Sequence, residues 1–332
     1  MTSRILRWLG DGLLLLAGGA SFAYLTWLAA PEPRSVPSLP PTSEFESPAV
    51  CADEPDGRET NPVRIGWTAW ADAEFIAHLV ERLIERRMGC AVDLVMADIG
   101  IQYQSVAQGD LDAMLMAWLP VTHADYHRRF SDRLVDLGPI YSGAQLGWVV
   151  PAYVPKAELS TIADLARPNV RARVGGEIFG IDPGSGLMRA SGHALAVYGL
   201  SEHWTIVPSS GSAMTAVIER DIRRGNWFVV TAWTPHWMFA QWDLRFLEDP
   251  RRALGGPEQV HALVRKDFDL RHPPRIRDML TRLFIPLPDL EQALLEANRT
   301  SVEGAVDRFV AEHPERVRYW LTGRLDSGAA GP

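Results

Sequence analysis

The sequence predicts an α/β protein of two lobes with mainly parallel sheets. Three observations carry this expectation. Apolar runs of strand length alternate with segments whose apolar residues recur at helical spacing, the signature of βαβ units. The chain has 332 residues and is 47% hydrophobic, enough for a large core divided between two lobes. An Ala-Trp-x-Pro sequence follows an apolar run twice, in "MAWLPVT" (116–122) and "TAWTPHW" (231–237), once in each half of the chain. A net charge of −8 without a basic stripe gives no footprint for a nucleic-acid partner.

Residues 1–30 stand apart from the globular part. Arg4 and Arg7 precede an uncharged run from Gly12 to Ala30, which reads as a secretory signal peptide or an uncleaved N-terminal membrane anchor. Positive charge before that run and little after it places the rest of the chain outside the cytoplasm. Residues 31–61 carry proline among Ser, Glu and Asp and read as a stiff linker. Cys51 and Cys90 are expected to pair in an oxidising compartment. A lipid anchor on Cys51 is disfavoured by Pro48, which stands where an apolar residue would be needed.

"VRIGW" (63–67) reads as the first strand. A helix follows, with Phe75, Ile76, Leu79, Val80, Leu83 and Ile84 on one face and Gly89 as its stop. Its acidic start (Asp72, Glu74) and basic end (Arg86, Arg87) suit the helix dipole. "AVDLVMA" and "LDAMLMAW" are the next strands, with a helix from about Thr122 and a strand "LGWVVPAYV". Apolar residues around 172–181, a helix from Ser185 to Tyr198, strand "TIVPS", a helix from about Ser212 and strand "WFVVTAW" repeat the alternation. The last seventy residues read as helical, with Thr300 and Glu303 in a capping-box pattern. Residues 324–332 read as a disordered tail.

In α/β sheets of this type, ligands bind beyond the carboxyl ends of the strands. Trp118 and Trp233 fall at two such ends, and the proline after each is expected to hold the tryptophan's backbone extended. Two ordinary core tryptophans are the alternative; matching contexts in both halves favour walls of a cleft. Ring faces suit a quaternary ammonium group, which has no N–H to donate and is surrounded by methyl groups; each well-placed ring contributes roughly 0.5–2 kcal/mol. The helix start in "WADAE" (70–74) offers free amides to a carboxylate tail.

From Val63 to about Leu321 the chain resembles the glycine betaine-binding proteins of osmoprotectant ABC importers. The segments that carry the resemblance are "IGWTAWADAEF", "YQSVAQGDLDAMLMAWLPVTHADY", "GIDPGSGLM", "VVTAWTPHWMFAQWDLRFLEDP" and "EQVHALVRKDF". It implies a two-lobed periplasmic-binding-protein-like fold with a hinge and an inter-lobe cleft, lobe 1 from 62–147 and 251–323 and lobe 2 from 148–250. It also implies delivery of a captured solute to a permease and its ATPase; an enzyme acting on a small amine or amino acid is the further alternative, but the sequence offers no recognisable base and nucleophile set, so no enzyme activity and no cofactor are expected. Trp118 and Trp233 fall on two positions of the family's tryptophan box, and the amides of Asp72 and Ala73 on its carboxylate site. The third box tryptophan and a carboxylate-binding histidine usually come from the segment matching 281–292, where this chain has Phe284 and neither residue type. Phe284, Trp67 or Trp70 is then expected to complete the box, and choline, carnitine or a sulfonium compound joins glycine betaine as a candidate ligand. His123 completes the candidate contacts. A membrane-tethered sensor is the alternative role.

"GIDPGSG" (180–186) lacks the Lys-Ser/Thr ending of a nucleotide loop and is read as a structural turn, with lining of the cleft as the alternative. His123, His236 and His261 are too scattered for a metal site. Asp110 and Asp112 read as a turn entering a strand rather than a catalytic pair. Trp204, Trp242 and Trp320 read as packing residues.

Overall fold

The computed structural model describes Cys51 and residues 61–325. The expected leader or anchor (1–30), nearly all of the linker (31–61) and the tail beyond Leu325 lie outside the described residues. The first half runs β1 (Val63–Trp67), α1 (Ala71–Met88), β2 (Val92–Met96), α2 (Ile99–Gln108), β3 (Ala113–Leu119), α3 (Ala124–Phe130) and β4 (Leu134–Pro151). It continues through α4 (Pro168–Val174), β5 (Glu177–Phe179), α5 (Gly186–Val197), β6 (Thr205–Val207), α6 (Gly211–Arg224), β7 (Val230–Thr234), α7 (Met238–Gln241), β8 (Leu244–Phe246) and β9 (Glu258–Arg265). Four helices close the chain: α8 (Pro274–Arg282), α9 (Leu287–Arg299), α10 (Val302–Glu312) and α11 (Pro314–Thr322).

The strands lie in the order β2-β1-β3-β9-β4-β7-β5-β6, with β8 beside β4. β1 pairs in parallel with β2 and β3, and β5 in parallel with β6 and β7. The centre is antiparallel: β3 with β9, and β4 with β9, β7 and β8. The expectation of mainly parallel sheets is therefore corrected to a mixed arrangement. Its cause is β4, an 18-residue strand whose first part pairs with β9 from Leu134 to Ala144. From Gln145 to Val149 it pairs with β7 instead, so one strand belongs to both sheets.

α1 forms as its spacing dictates, burying Phe75, Ile76, Leu79, Val80, Leu83 and Ile84. Gly89 ends it at φ 69°, a left-handed backbone that costs glycine little, and its N–H caps the carbonyls of the last turn. Cys90 is bonded to Cys51 just past this end, a disulfide spanning 39 residues. The cap of α10 is Ser301, whose hydroxyl accepts from Gly304 N; the expected Thr300 is one residue early. One hydrophobic cluster joins α1, β1, β3 and α8–α11. A second, around Trp148, Leu159, Ile178 and Trp204, fills the sheet of β5–β7. Trp204 and Trp320 are buried in packing positions, and Trp242 packs partly buried against Trp237.

Candidate functional site

Both repeated tryptophans lie inside strands, one residue before the end of β3 and of β7. Ladder pairing holds them there, Trp118 opposite Val260 and Trp233 opposite Leu146. The prolines act on the residues before them, Leu119 and Thr234, through cis peptide bonds, and not on the tryptophans as expected.

Trp118 and Trp233, each only 3% exposed, meet Trp70 from the N-cap of α1 around a cleft of about 270 Å³. These three are the tryptophans that line it among the described residues. Thr122, His123 and Leu146 line it as well, Leu146 as the ladder partner of Trp233. Ile181, Ser185, Gly186 and Leu187 complete the lining, so the "GIDPGSG" turn lies at the cleft. Gly186 lies so near that an added Cβ would fall 2.2 Å from Thr122 Cγ2; only hydrogen fits between α5 and the 120–122 turn. Glu258 fixes that turn by accepting from the amides of Val121 (3.0 Å) and Thr122 (2.8 Å) and from the Thr122 hydroxyl. Arg189 of α5 reaches over the seam, donating to Thr122 O at 2.8 Å with its guanidinium 4.9 Å from the Tyr126 ring centroid.

Asp72 is fully buried beside the box. Its carboxylate accepts from Trp233 Nε1 at 3.0 Å and from the Tyr141 hydroxyl at 2.6 Å. Burial raises its pKa, while hydrogen bonds from Tyr141, Trp233 and the amides of Asp72 and Ala73 oppose that rise. Those two amides, expected to receive a ligand carboxylate, open the helix that carries this buried carboxylate. Asp182, in the turn before α5, accepts from Trp70 Nε1 at 2.8 Å. Its pKa is also raised, chiefly by burial.

His123 Nδ1 accepts from Trp118 N at 3.0 Å, which leaves the neutral ring's hydrogen on Nε2. Burial, with Arg189 nearby, lowers its pKa to about 3, so it stays neutral. Its Nε2 and the indole nitrogen of Trp118 have no hydrogen-bond partner among the described residues. Trp67 and Phe284 lie elsewhere. Trp67 packs beside His78 at 6.2 Å, and Phe284 is 43% exposed in the loop before α9. Tyr141 and Asp182, with Thr122, Leu146 and Leu187 of the lining, are site residues that sequence reasoning missed. Asp182 lies in a turn the sequence singles out, whereas Tyr141 has no local signal, being one alternation among many in a long strand.

An indole-walled cleft between two α/β halves that share a central strand defines a two-lobed solute-binding protein. Residues 61–312 match the substrate-binding domain of the ABC-type glycine betaine transport system, and the chain belongs to that family. It is 33% identical over 160 residues to the glycine betaine/carnitine transport binding protein GbuC of Listeria monocytogenes. That alignment covers 48% of this chain and about half (53%) of the relative's length. The glycine betaine/proline betaine-binding periplasmic protein of Escherichia coli is 23% identical over 304 residues, 81% of this chain and 91% of that protein. Lactococcal OpuAC, in a closed form complexed with glycine betaine, superposes with a TM-score of 0.73 at 30% identity. That superposition covers 79% of this chain and 99% of OpuAC. The glycine betaine/L-proline-binding protein ProX of Borrelia burgdorferi gives a TM-score of 0.72, also at 30% identity, over 79% of this chain and 97% of its own. The family is one of transport substrate-binding domains, not of enzymes.

Proposed function

We propose that the protein captures a quaternary ammonium solute outside the cytoplasm by closing two lobes on it, and hands it to an ABC permease driven by its ATPase. The lobes are residues 62–147 with 251–323, and 148–250, and they bend about β4. Residues 1–30 direct export or hold the protein at the membrane, and the protein catalyses no reaction. The sensor role has no support in the relatives found.

One observation carries the ligand class: three indoles from separate elements line one cleft, and a fully buried carboxylate, Asp72, holds the N–H of one of them from behind. The rings suit a methylated cation, and Asp72 in its ionised form adds a countercharge behind the Trp233 ring. Asp72 also separates the candidates within the class. Glycine betaine brings a second carboxylate close to the desolvated Asp72, and like charges repel strongly when both are ionised. Choline brings a hydroxyl that donates to a carboxylate. The reading is therefore choline ahead of glycine betaine.

Calorimetric titration with choline, glycine betaine, carnitine and dimethylsulfoniopropionate tests this. At pH 7 choline should bind at least ten-fold tighter than glycine betaine, and Asp72→Asn should erase most of that preference. The Asp72 pKa is raised, so lowering the pH neutralises it and should shift the preference toward glycine betaine. Tighter betaine binding at pH 7 would reverse the order of ligands; failure of all four to bind would reject the class.

A further inference from the structure

Two of the box indoles are tied to a carboxylate from the opposite side of the cleft. Trp233, on β7, donates to Asp72 on α1. Trp70, at the start of α1, donates to Asp182 in the turn leading into α5. Each half of the molecule thus orients a ring that belongs to the other. When the halves separate, both indole N–H groups lose these acceptors, and Trp70, at a helix N-cap rather than within a ladder, loses a restraint on its ring. A buried indole N–H ordinarily finds a partner, and one donating to a carboxylate is the stronger kind. Asp182 has an oxygen to spare: Oδ2 is buried with no hydrogen-bond partner among the described residues, while Oδ1 takes the Trp70 hydrogen.

We propose that Asp182 is a positioning residue for ligand capture: across the cleft it fixes the Trp70 indole, so that the third ring meets the ligand only as the lobes shut. The inference rests on the quaternary ammonium reading and adds to it a residue that acts through a ring and not on the ligand. Loss of this hydrogen bond should show chiefly as faster ligand release, because the bond exists only after closure. Asp182→Asn keeps an acceptor for the indole; Asp182→Ala does not. Trp70→Phe keeps a ring but removes the N–H, so Asp182→Ala in that background has little left to remove.

The test is a double-mutant cycle on the full chain, with choline and glycine betaine as probes. Affinity is measured by calorimetry, dissociation by stopped-flow tryptophan fluorescence, and folding by thermal unfolding without ligand. Asp182→Ala should weaken binding about ten-fold or more through the dissociation rate. Asp182→Asn should return to within about three-fold of wild type, and Asp182→Ala should cost less than two-fold once Trp70 is Phe. Additive effects of the two substitutions would overturn the proposal. So would an Asn variant as weak as the Ala variant, since charge rather than indole orientation would then be at work. If the Ala variant does not fold, the Asn variant alone and combined with Trp70→Phe decides between these outcomes. Failure of the wild-type protein to bind choline, glycine betaine, carnitine and dimethylsulfoniopropionate alike would reject the ligand reading, and this inference with it; additivity in a protein that binds rejects only the inference.

Discussion

Trp233 does two jobs at once, as a wall of the cleft and as the hydrogen-bond donor to Asp72 at 3.0 Å. Trp118 is a wall without that second bond among the described residues. Their substitutions should differ accordingly. Trp233→Ala is expected to weaken choline binding ten-fold or more, and Trp233→Phe to recover only part of it, because a phenyl ring restores a face but no donor. Trp118→Phe should retain most of the affinity. Calorimetry on the three variants checks this, and equal recovery by Phe at both positions would show that the hydrogen bond to Asp72 is idle. The tryptophans were legible in the sequence because each closes an apolar run in the same four-residue context. Asp72 was read for its amide and as a charge suited to the helix start; nothing local announces that its carboxylate turns inward, since its donors Tyr141 and Trp233 lie 69 and 161 residues away.

The elements that periodicity names well are those with one buried face. α1 shows six apolar positions at helical spacing and a glycine stop, and it ends at Met88 with Gly89 as the cap. β4 and β9 are harder to read because their partners are distant in sequence, and pairing rather than local pattern sets their length and direction. That is why the antiparallel centre went against expectation. At this scale the Cys51–Cys90 disulfide makes a separable prediction. It lies at the far end of α1 from Asp72, about 27 Å along an 18-residue helix. Replacing both cysteines by serine should lower unfolding stability by about 2–4 kcal/mol while leaving ligand affinity within two-fold. Denaturant unfolding and calorimetry measure the two quantities, and a matching loss of affinity would tie the disulfide to the cleft.

For the molecule as a whole, buried titratable groups set a pH dependence with a definite sign. Burial lowers both His123 and His236 to about 3, below the ordinary histidine value near 6.5. The unfolded chain therefore takes up protons first, and stability should fall as pH drops from about 6.5 toward 3. Asp112 adds to this below about pH 4. Burial alone would raise it, but the imidazole of His272 at 3.2 Å and hydrogen bonds from Arg64 hold it well below the usual carboxylate range, so the stability it contributes is lost on acidification. Asp72 works in the opposite direction, since protonating a carboxylate whose pKa is raised relieves a cost. In an Asp72→Asn background, which removes the opposing group, the three depressed groups should give a melting temperature that declines through the acid range. His236→Asn keeps an acceptor for the Met238 amide, which His236 Nδ1 now receives at 3.1 Å, and should flatten part of that slope. An unchanged slope would locate the acid sensitivity elsewhere.

β4 gives its leading segment to one sheet and its trailing segment to the other. Neither half can therefore be expressed alone without a bare flank of backbone, with unpaired N–H and C=O groups inviting a second copy to dock. Dividing the gene at that strand should yield two sticky fragments, not two small proteins, and any swing of the jaws has to be taken up inside this ribbon and the return segment between β8 and β9.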